Sequence, residues 1–380
     1  MKKQMTELHQ TIYNQSPQTV IFVPGRVNLI GEHTDYSGGF VMPIAIDLGI
    51  YAAISERKDS RIDVYSDTFA KLGIQTASKP YQYHPEKQFL NYIEGMCSVL
   101  ESNGHTLYKG LSISLYSTLP SGAGLSSSAA LEILIGIILR QYNQLKIDDL
   151  TLVYHARAVE NEYLKLSSGI LDQYAIMFGK KDHAMMLHTR LMKQAYIKIN
   201  LTQYTLVLMN TNKTRKLTES AYNDRFKTIK EGQKYFSGPL DTVSYEMLLA
   251  KKTTINNDII FKRLAHVINE NQRVTDAKKA LLANDYKTLG NLMNASHDSL
   301  KTLYEVSCEE LDFLVDAHRQ HGALGARMTG AGFGGTMIAL YKAELPCFEA
   351  LKIAYKKRFN YALEIMVTSA VSGPHIKEEL

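Results

Sequence analysis

One stretch constrains the fold more than any other, the run from Leu111 to Tyr142. Leu111 to Tyr116 reads as a strand, and Ser127 to Tyr142 as a helix that is apolar on nearly all sides. Such a helix has to be enclosed by protein. Its apolar part, Ala129 to Leu139, is interrupted by Glu132 and is far shorter than the ~20 residues that span a bilayer. The chain must therefore build a core around it. Between strand and helix lies Leu-Pro-Ser-Gly-Ala-Gly-Leu-Ser-Ser-Ser, from Leu119 to Ser128. Glycines at 122 and 124 let backbone N–H groups approach an anion, and Ser126, Ser127 and Ser128 add hydroxyl donors. The unpaired N–H groups and the dipole at a helix N-terminus favour a phosphate there. No Gly-Lys-Ser/Thr follows, so this is not a Walker A loop. The plainer reading is a Gly/Ser helix-capping turn.

The chain has ample length for that core. Its 380 residues suffice for two to three domains, and 45% hydrophobic with 21% charged residues is an ordinary globular balance. Disorder and collagen-like repeats are excluded. The net charge of +5 is dispersed, and short runs such as Lys356-Lys357-Arg358 read as solvated surface, not a nucleic-acid face. Three cysteines, Cys97, Cys308 and Cys347, are far apart and form no Cys-x-x-Cys, which argues against a disulfide framework or zinc ribbon and fits a reducing compartment. Lys2 and Lys3 lead into a polar stretch with no apolar segment, so no signal peptide is visible and a cytoplasmic location is expected.

Strand-like runs occur at Val20 to Val23, Phe40 to Ile46, Ile50 to Ser55, Arg61 to Tyr65, Ala184 to Leu187 and Ala195 to Ile199. Gln88 to Glu101 and Asp148 to Leu166 read as helices, with Asp148 or Asp149 as N-cap. The second half changes rhythm. A strand at Thr205 to Met209 precedes a helical region from about Leu217 to His297. Ser307 and Glu310 suggest a capping box opening another helix, followed by strands near Ala326 to Thr329 and Thr336 to Tyr341, a helix from Glu344 to Arg358 and a strand at Ala362 to Ser369. That order predicts a split βαβ, ferredoxin-like sandwich. The fold expected is α+β in two domains, a mixed-sheet domain over residues 1–200 and a ferredoxin-like domain over 201–380.

Three further segments carry chemistry-bearing residues. Val23 to Phe40 sets Arg26, Glu32, His33 and Asp35 within ten positions among glycines. On loop-like backbone this set suits a polyol, with carboxylates accepting from hydroxyls and the guanidinium facing an anion. A cation site is the rival reading, opposed by Arg26, and a self-bonded polar turn is the plain one. Met328 to Leu340 matches Gly-x-Gly-x-x-Gly at 330, 332 and 335, but a strand follows where a dinucleotide site needs a helix. Two strands joined by a glycine-rich turn that leaves room for a ligand or for another loop is the expectation, and a tight hairpin alone is the plainer reading. In Ser167 to Lys180, Asp172 lies in apolar company beside Gly169, which suits local hydrogen bonding and also chemistry.

Together these strings resemble the galactokinases of the GHMP small-molecule kinase family. PGRVNLIGEHTDY is similar to the galactokinase signature, GAGLSSSAALE to the family's ATP-binding motif, TGAGFGG to its third motif, and GILDQ to the segment bearing its catalytic acid. Asn210 to Phe226 resembles the region that supplies a sugar-contacting tyrosine. The resemblance implies transfer of the ATP γ-phosphate to the 1-hydroxyl of α-D-galactose, in a cleft between two domains. It implies Asp172 and Arg26 as the catalytic pair, and Glu32, His33, Asp35, Gly169 and Tyr222 as the sugar's contacts. Ser121, Gly122, Ala123, Gly124, Leu125, Ser126, Ser127 and Ser128 would cradle the phosphates, and Ser128 with Glu160 would ligate Mg2+. Galactose is the partner implied, with no nucleic acid, membrane or obligate protein partner, and a monomer. Three places depart from the usual pattern: Ala221 before Tyr222, Leu187-His188-Thr189-Arg190, and Phe89 where many members carry Trp. A non-catalytic galactose and ATP sensor of the same ancestry is one alternative, opposed by the intact Ser126-Ser127-Ser128-Ala129-Ala130. A kinase for N-acetylgalactosamine or arabinose is another.

Overall fold

The computed structural model describes residues 1–213, 218–342 and 344–376. The first half builds one large sheet from β1 (Thr19–Ile30), β2 (Phe40–Arg57), β3 (Ile62–Ser66), β4 (Gln75–Ala77), β5 (Gly110–Ser117), β6 (His183–His188) and β7 (Lys193–Lys198). β5 pairs with β3 in parallel and with β2 antiparallel, so the sheet is mixed. Two expectations change here. Strand β1 does not stop at Val23 but runs through Arg26 to Ile30, with register shifts at Pro24/Gly25 and Asn28/Ile30. Proline has no N–H to give the ladder, and irregularities of this kind let a strand continue past it. Phe40–Arg57 is likewise one strand, not two. Exposed Asp47 in its middle accepts from Thr368 Oγ1 at 2.7 Å.

The helix Ser127–Tyr142 starts and ends where the pattern places it. It is enclosed by the first core, with Ala129, Ile133, Leu134 and Ile138 wholly buried. The helix Asp149–Ala158 is capped by Asp148, which accepts from the Thr151 N–H at 2.7 Å. It then loosens into a π-helical turn, Val159–Tyr163, where the sequence suggested regular helix to Leu166.

The second half forms β8 (Tyr204–Asn210), β9 (Gly325–Met328), β10 (Thr336–Lys342) and β11 (Glu364–Thr368), all antiparallel, in the order β11-β8-β10-β9. With its helices this is the ferredoxin-like sandwich expected. The helical region comprises Thr218–Gln233, shorter segments, Asp258–Leu282 and Tyr286–Ser299; Leu217 lies outside the described residues. No capping box forms at Ser307. That hydroxyl bonds Asp312 at 2.6 Å, Glu310 pairs with Lys213 at 2.8 Å, and the helix begins at Glu309 behind an extended Cys308. The last helix spans Glu349–Phe359, five residues later than Glu344.

Val274, Ala277, Met293, Ile338 and Leu340 from the second half pack into the core of the first sheet. A short last strand, β12 (His375–Ile376), returns to pair with β1. Between the two sheets, the loop after β1, the start of the helix Ser127–Tyr142, the helix Leu171–Met177 and the β9–β10 turn converge.

Candidate active site

At that convergence lies a cavity of about 150 Å³. Arg26, Glu32, His33, Asp35, Glu160, Gly169, Asp172 and Tyr222 all line it, together with Ser168, Leu171, Gln173, Gly330 and Ala331. Pockets for drug-sized ligands run to roughly 300–1,000 Å³, so this space suits one small polar molecule.

Arg26, on the extended part of β1, is buried and donates from Nε to Asp172 Oδ1 at 2.8 Å and from Nη1 to the Gly124 carbonyl at 2.9 Å. Ser126 Oγ donates to the other oxygen, Asp172 Oδ2. One cation and one hydroxyl thus hold the acid and tie it to the glycine-serine loop. Glu32 serves as a tie between halves of the chain. Its Oε1 accepts from the Gly330 N–H at 2.6 Å and Thr329 Oγ1 at 3.0 Å, and its Oε2 from Asn28 Nδ2 at 2.9 Å. The His33 ring is fully engaged: Nε2 donates to the Ala331 carbonyl at 3.2 Å and Nδ1 accepts from the Tyr36 hydroxyl at 2.9 Å. Desolvation pushes its pKa down to about 3, so the imidazole is neutral.

Asp35 opens the short turn Asp35–Ser37, and its carboxyl is pushed up to about 6, first by burial and then by the charge of Asp172. Gly169 packs against it, since a Cβ at 169 would come within 1.6 Å of Asp35 Oδ2. The Tyr222 ring centre lies 5.7 Å from that of His33 and 5.5 Å from that of Tyr36. Burial pushes its phenol well above the usual range. Of the departures noted in the sequence, His188 and Arg190 both bind Asp241, at 2.8 and 2.6 Å.

Above the cavity, Ser121 to Ser128 forms an open loop, with Gly122 and Gly124 at φ +69° and +75°. Ser126 occupies the N-cap in left-handed backbone, and its side chain makes no capping bond because it is committed to Asp172. The first-turn N–H groups of the buried helix are left to face an anion. Ala123 and Leu125 are buried and anchor the loop: the Ala123 carbonyl accepts from Thr336 Oγ1 at 2.8 Å, and the Leu125 carbonyl from the Arg26 N–H at 3.3 Å. Beside Ser121, Ser127 and Ser128 lies a second cavity of about 490 Å³, walled by Phe69, Tyr83, Phe89, Tyr92, Leu115 and Leu119. Apart from Phe89, sequence reasoning did not single out these aromatics. Thr329, Gly330, Ala331 and Thr336 belong to the glycine-rich segment that the sequence offers as part of the site, but sequence reasoning gave none of them an individual role.

Ser128 Oγ lies 3.3 Å from Glu160 Oε1, and burial pushes the Glu160 carboxyl up. Among the described residues no group of three or more His, Cys, Asp or Glu side chains could hold a metal ion. A hydroxyl and a carboxylate are hard oxygen donors. They fit Mg2+, which takes one or two carboxylates and fills its shell with phosphate and water, and they do not fit a closed zinc site.

An anion loop at the head of a buried helix, braced by a glycine turn from a ferredoxin-like half, is the architecture of the GHMP kinases. Their N-terminal domain model matches residues 91–180 and their C-terminal model residues 277–356. A model described as the galactokinase galactose-binding signature matches residues 7–56. The galactokinase of Enterococcus faecalis is 41% identical over 95% of this chain and 96% of its own. That of Levilactobacillus brevis is 40% identical over 96% and 97%. The crystal structure of Lactococcus lactis galactokinase complexed with galactose matches with a TM-score of 0.92 at 37% identity, over 98% of this chain and 99% of that one. Methanococcus jannaschii mevalonate kinase, at TM-score 0.61 and 22% identity over 93% and 98%, shares the fold. The chain belongs to the galactokinase family.

Proposed function

We propose that this chain transfers the γ-phosphoryl group of ATP to the anomeric hydroxyl of α-D-galactose, giving galactose 1-phosphate and ADP. One observation carries the residue assignment: Asp172, in the wall of the small polar cavity, is clasped by Arg26 and by Ser126 of the phosphate loop. Acceptor and donor would meet at that point. Asp35 and Glu32 accept from sugar hydroxyls, Tyr222 and the His33 ring close the wall, and Gly169 leaves Asp35 room. Ser121 to Ser128 cradles the phosphates, and the aromatic cavity beside it takes the base.

Phosphoryl transfer passes through a loose transition state, so placement and charge compensation supply most of the rate. Asp172 accepts the proton of the 1-hydroxyl, or orients that hydroxyl for attack. Arg26 compensates charge that spreads over the transferring group. Ser128 and Glu160 would hold Mg2+, which when bound neutralises phosphate charge. Three free cysteines fit a cytoplasmic, reducing location. No described helix is long and apolar enough to cross a membrane.

A coupled ADP-release assay across galactose, N-acetylgalactosamine, glucose, arabinose and mevalonate tests the reading. ADP should form with galactose. Binding of galactose and ATP with no ADP formed would make the chain a sensor instead. Asp172→Asn should cost on the order of 10²–10⁴ in turnover while sugar binding survives. A near-wild-type rate would remove Asp172 from the mechanism.

A further inference from the structure

The helix Leu171–Met177 carries two adjacent polar residues with different surroundings. Asp172 faces Arg26 and the phosphate loop. Gln173 is wholly buried, and its amide nitrogen lies 3.0 Å from Glu132 Oε2 and 3.1 Å from Glu160 Oε2. A side-chain amide has two N–H donors, and here each goes to a different carboxylate. The link joins three elements: the buried helix that carries Glu132, the π-helical turn that carries Glu160, and the helix that carries Asp172. Glu160 Oε1 lies 3.3 Å from Ser128 Oγ, and the carboxylate also bonds Ser168.

Glu132 is wholly buried, and among the described residues its one hydrogen bond is to Gln173. Among the described residues its Oε1 and the Gln173 Oε1 have no hydrogen-bond partner. A buried acid is costly, and burial together with the charge of Glu160 pushes this one well above the usual carboxylate range. What Glu132 secures in return is the orientation of the amide. A donor on one oxygen of a ligating carboxylate sets the plane in which the other oxygen is presented, and losing such a partner lowers metal affinity about 10–100-fold.

We propose that Gln173 is a positioning residue for the divalent cation: anchored by Glu132, it holds Glu160 with Oε1 turned toward Ser128. Because Gln173 adjoins Asp172, the same link fixes the cation's carboxylate relative to the acid that meets the sugar. The inference rests on the reading of Ser128 and Glu160 as the cation's ligands.

The test uses the full chain with Mn2+ and ADP, ion binding followed by electron paramagnetic resonance, galactose binding by calorimetry, and Tm. Gln173→Leu should weaken Mn2+ binding by about tenfold or more, with a smaller effect on galactose affinity because Gln173 also lines the small cavity. Gln173→Met, closer to glutamine in shape and likewise without an N–H donor, should lose Mn2+ affinity in the same way, and it supplies the answer if Gln173→Leu fails to fold. Wild-type Mn2+ affinity in a folded Gln173→Leu or Gln173→Met overturns the proposal. Glu160→Gln tests the ligand reading separately: wild-type ion affinity there removes Glu160 as a ligand, and the proposal with it.

Discussion

Asp35 carries the sharpest consequence of burial at the residue scale. Its carboxyl is raised from 3.8 to about 6 by desolvation, then by the charges of Asp172 and Glu32. A raised carboxyl contributes to folding stability below its unfolded pKa and loses that contribution as pH rises through the folded value. The proton therefore stays on until about pH 6. Sugar hydroxyls donate to the ionised form, so galactose should bind more tightly at pH 7 than at pH 5 and release a proton near pH 6. Calorimetric titration in two buffers of different ionisation enthalpy reads both, and an affinity independent of pH would contradict it. His33, which the resemblance implies as a sugar contact, has both its nitrogens engaged by Tyr36 and Ala331. Only packing shows which polar atoms remain available.

At the scale of elements, the helix Ser127–Tyr142 was legible to the residue because an all-round apolar pattern, a Gly/Ser start and a polar end coincide. The split βαβ order was legible from alternation and punctuation. The loop after Val23 was not: Val27, Leu29 and Ile30 are apolar and continue β1, but Pro24 and Gly25 ahead of them look like a stop. The β9–β10 turn is legible as a glycine-rich link with room for a ligand or for another loop; that it meets the Ser121 to Ser128 loop, more than 200 residues away, only packing shows. Thr336 Oγ1 to the Ala123 carbonyl is its clearest bond. Thr336→Val should cost about 1 kcal/mol of stability, measured by denaturant unfolding, and should raise KM for ATP while leaving KM for galactose near wild type. An unchanged KM for ATP would show that the bond braces the fold without shaping the loop.

For the whole molecule, buried histidines dominate the response to acid. His9, His266 and His318 are pushed down to about 4 and His33 to about 3, each mainly by desolvation. A lowered histidine stabilises the fold above its unfolded pKa of about 6.5 and loses that contribution as pH falls. Tm should therefore drop as pH falls from about 6.5 toward 4. Asp35, Glu132 and Glu160 are raised and take up protons in the folded state, which offsets part of that fall. Scanning fluorimetry across that range checks it, and a Tm that rises from about pH 6.5 to 4 would refute it. The sequence by itself determined the buried helix, the glycine-serine loop before it and the ferredoxin-like order of the second half, because these follow from local periodicity and glycine placement. Tertiary structure alone decided that Arg26 meets Asp172 across 146 positions, that Glu32 is bound to the β9–β10 turn, and that Gln173 bridges two acids. Such pairings depend on how distant segments pack, and distance along a chain carries no information about distance in space.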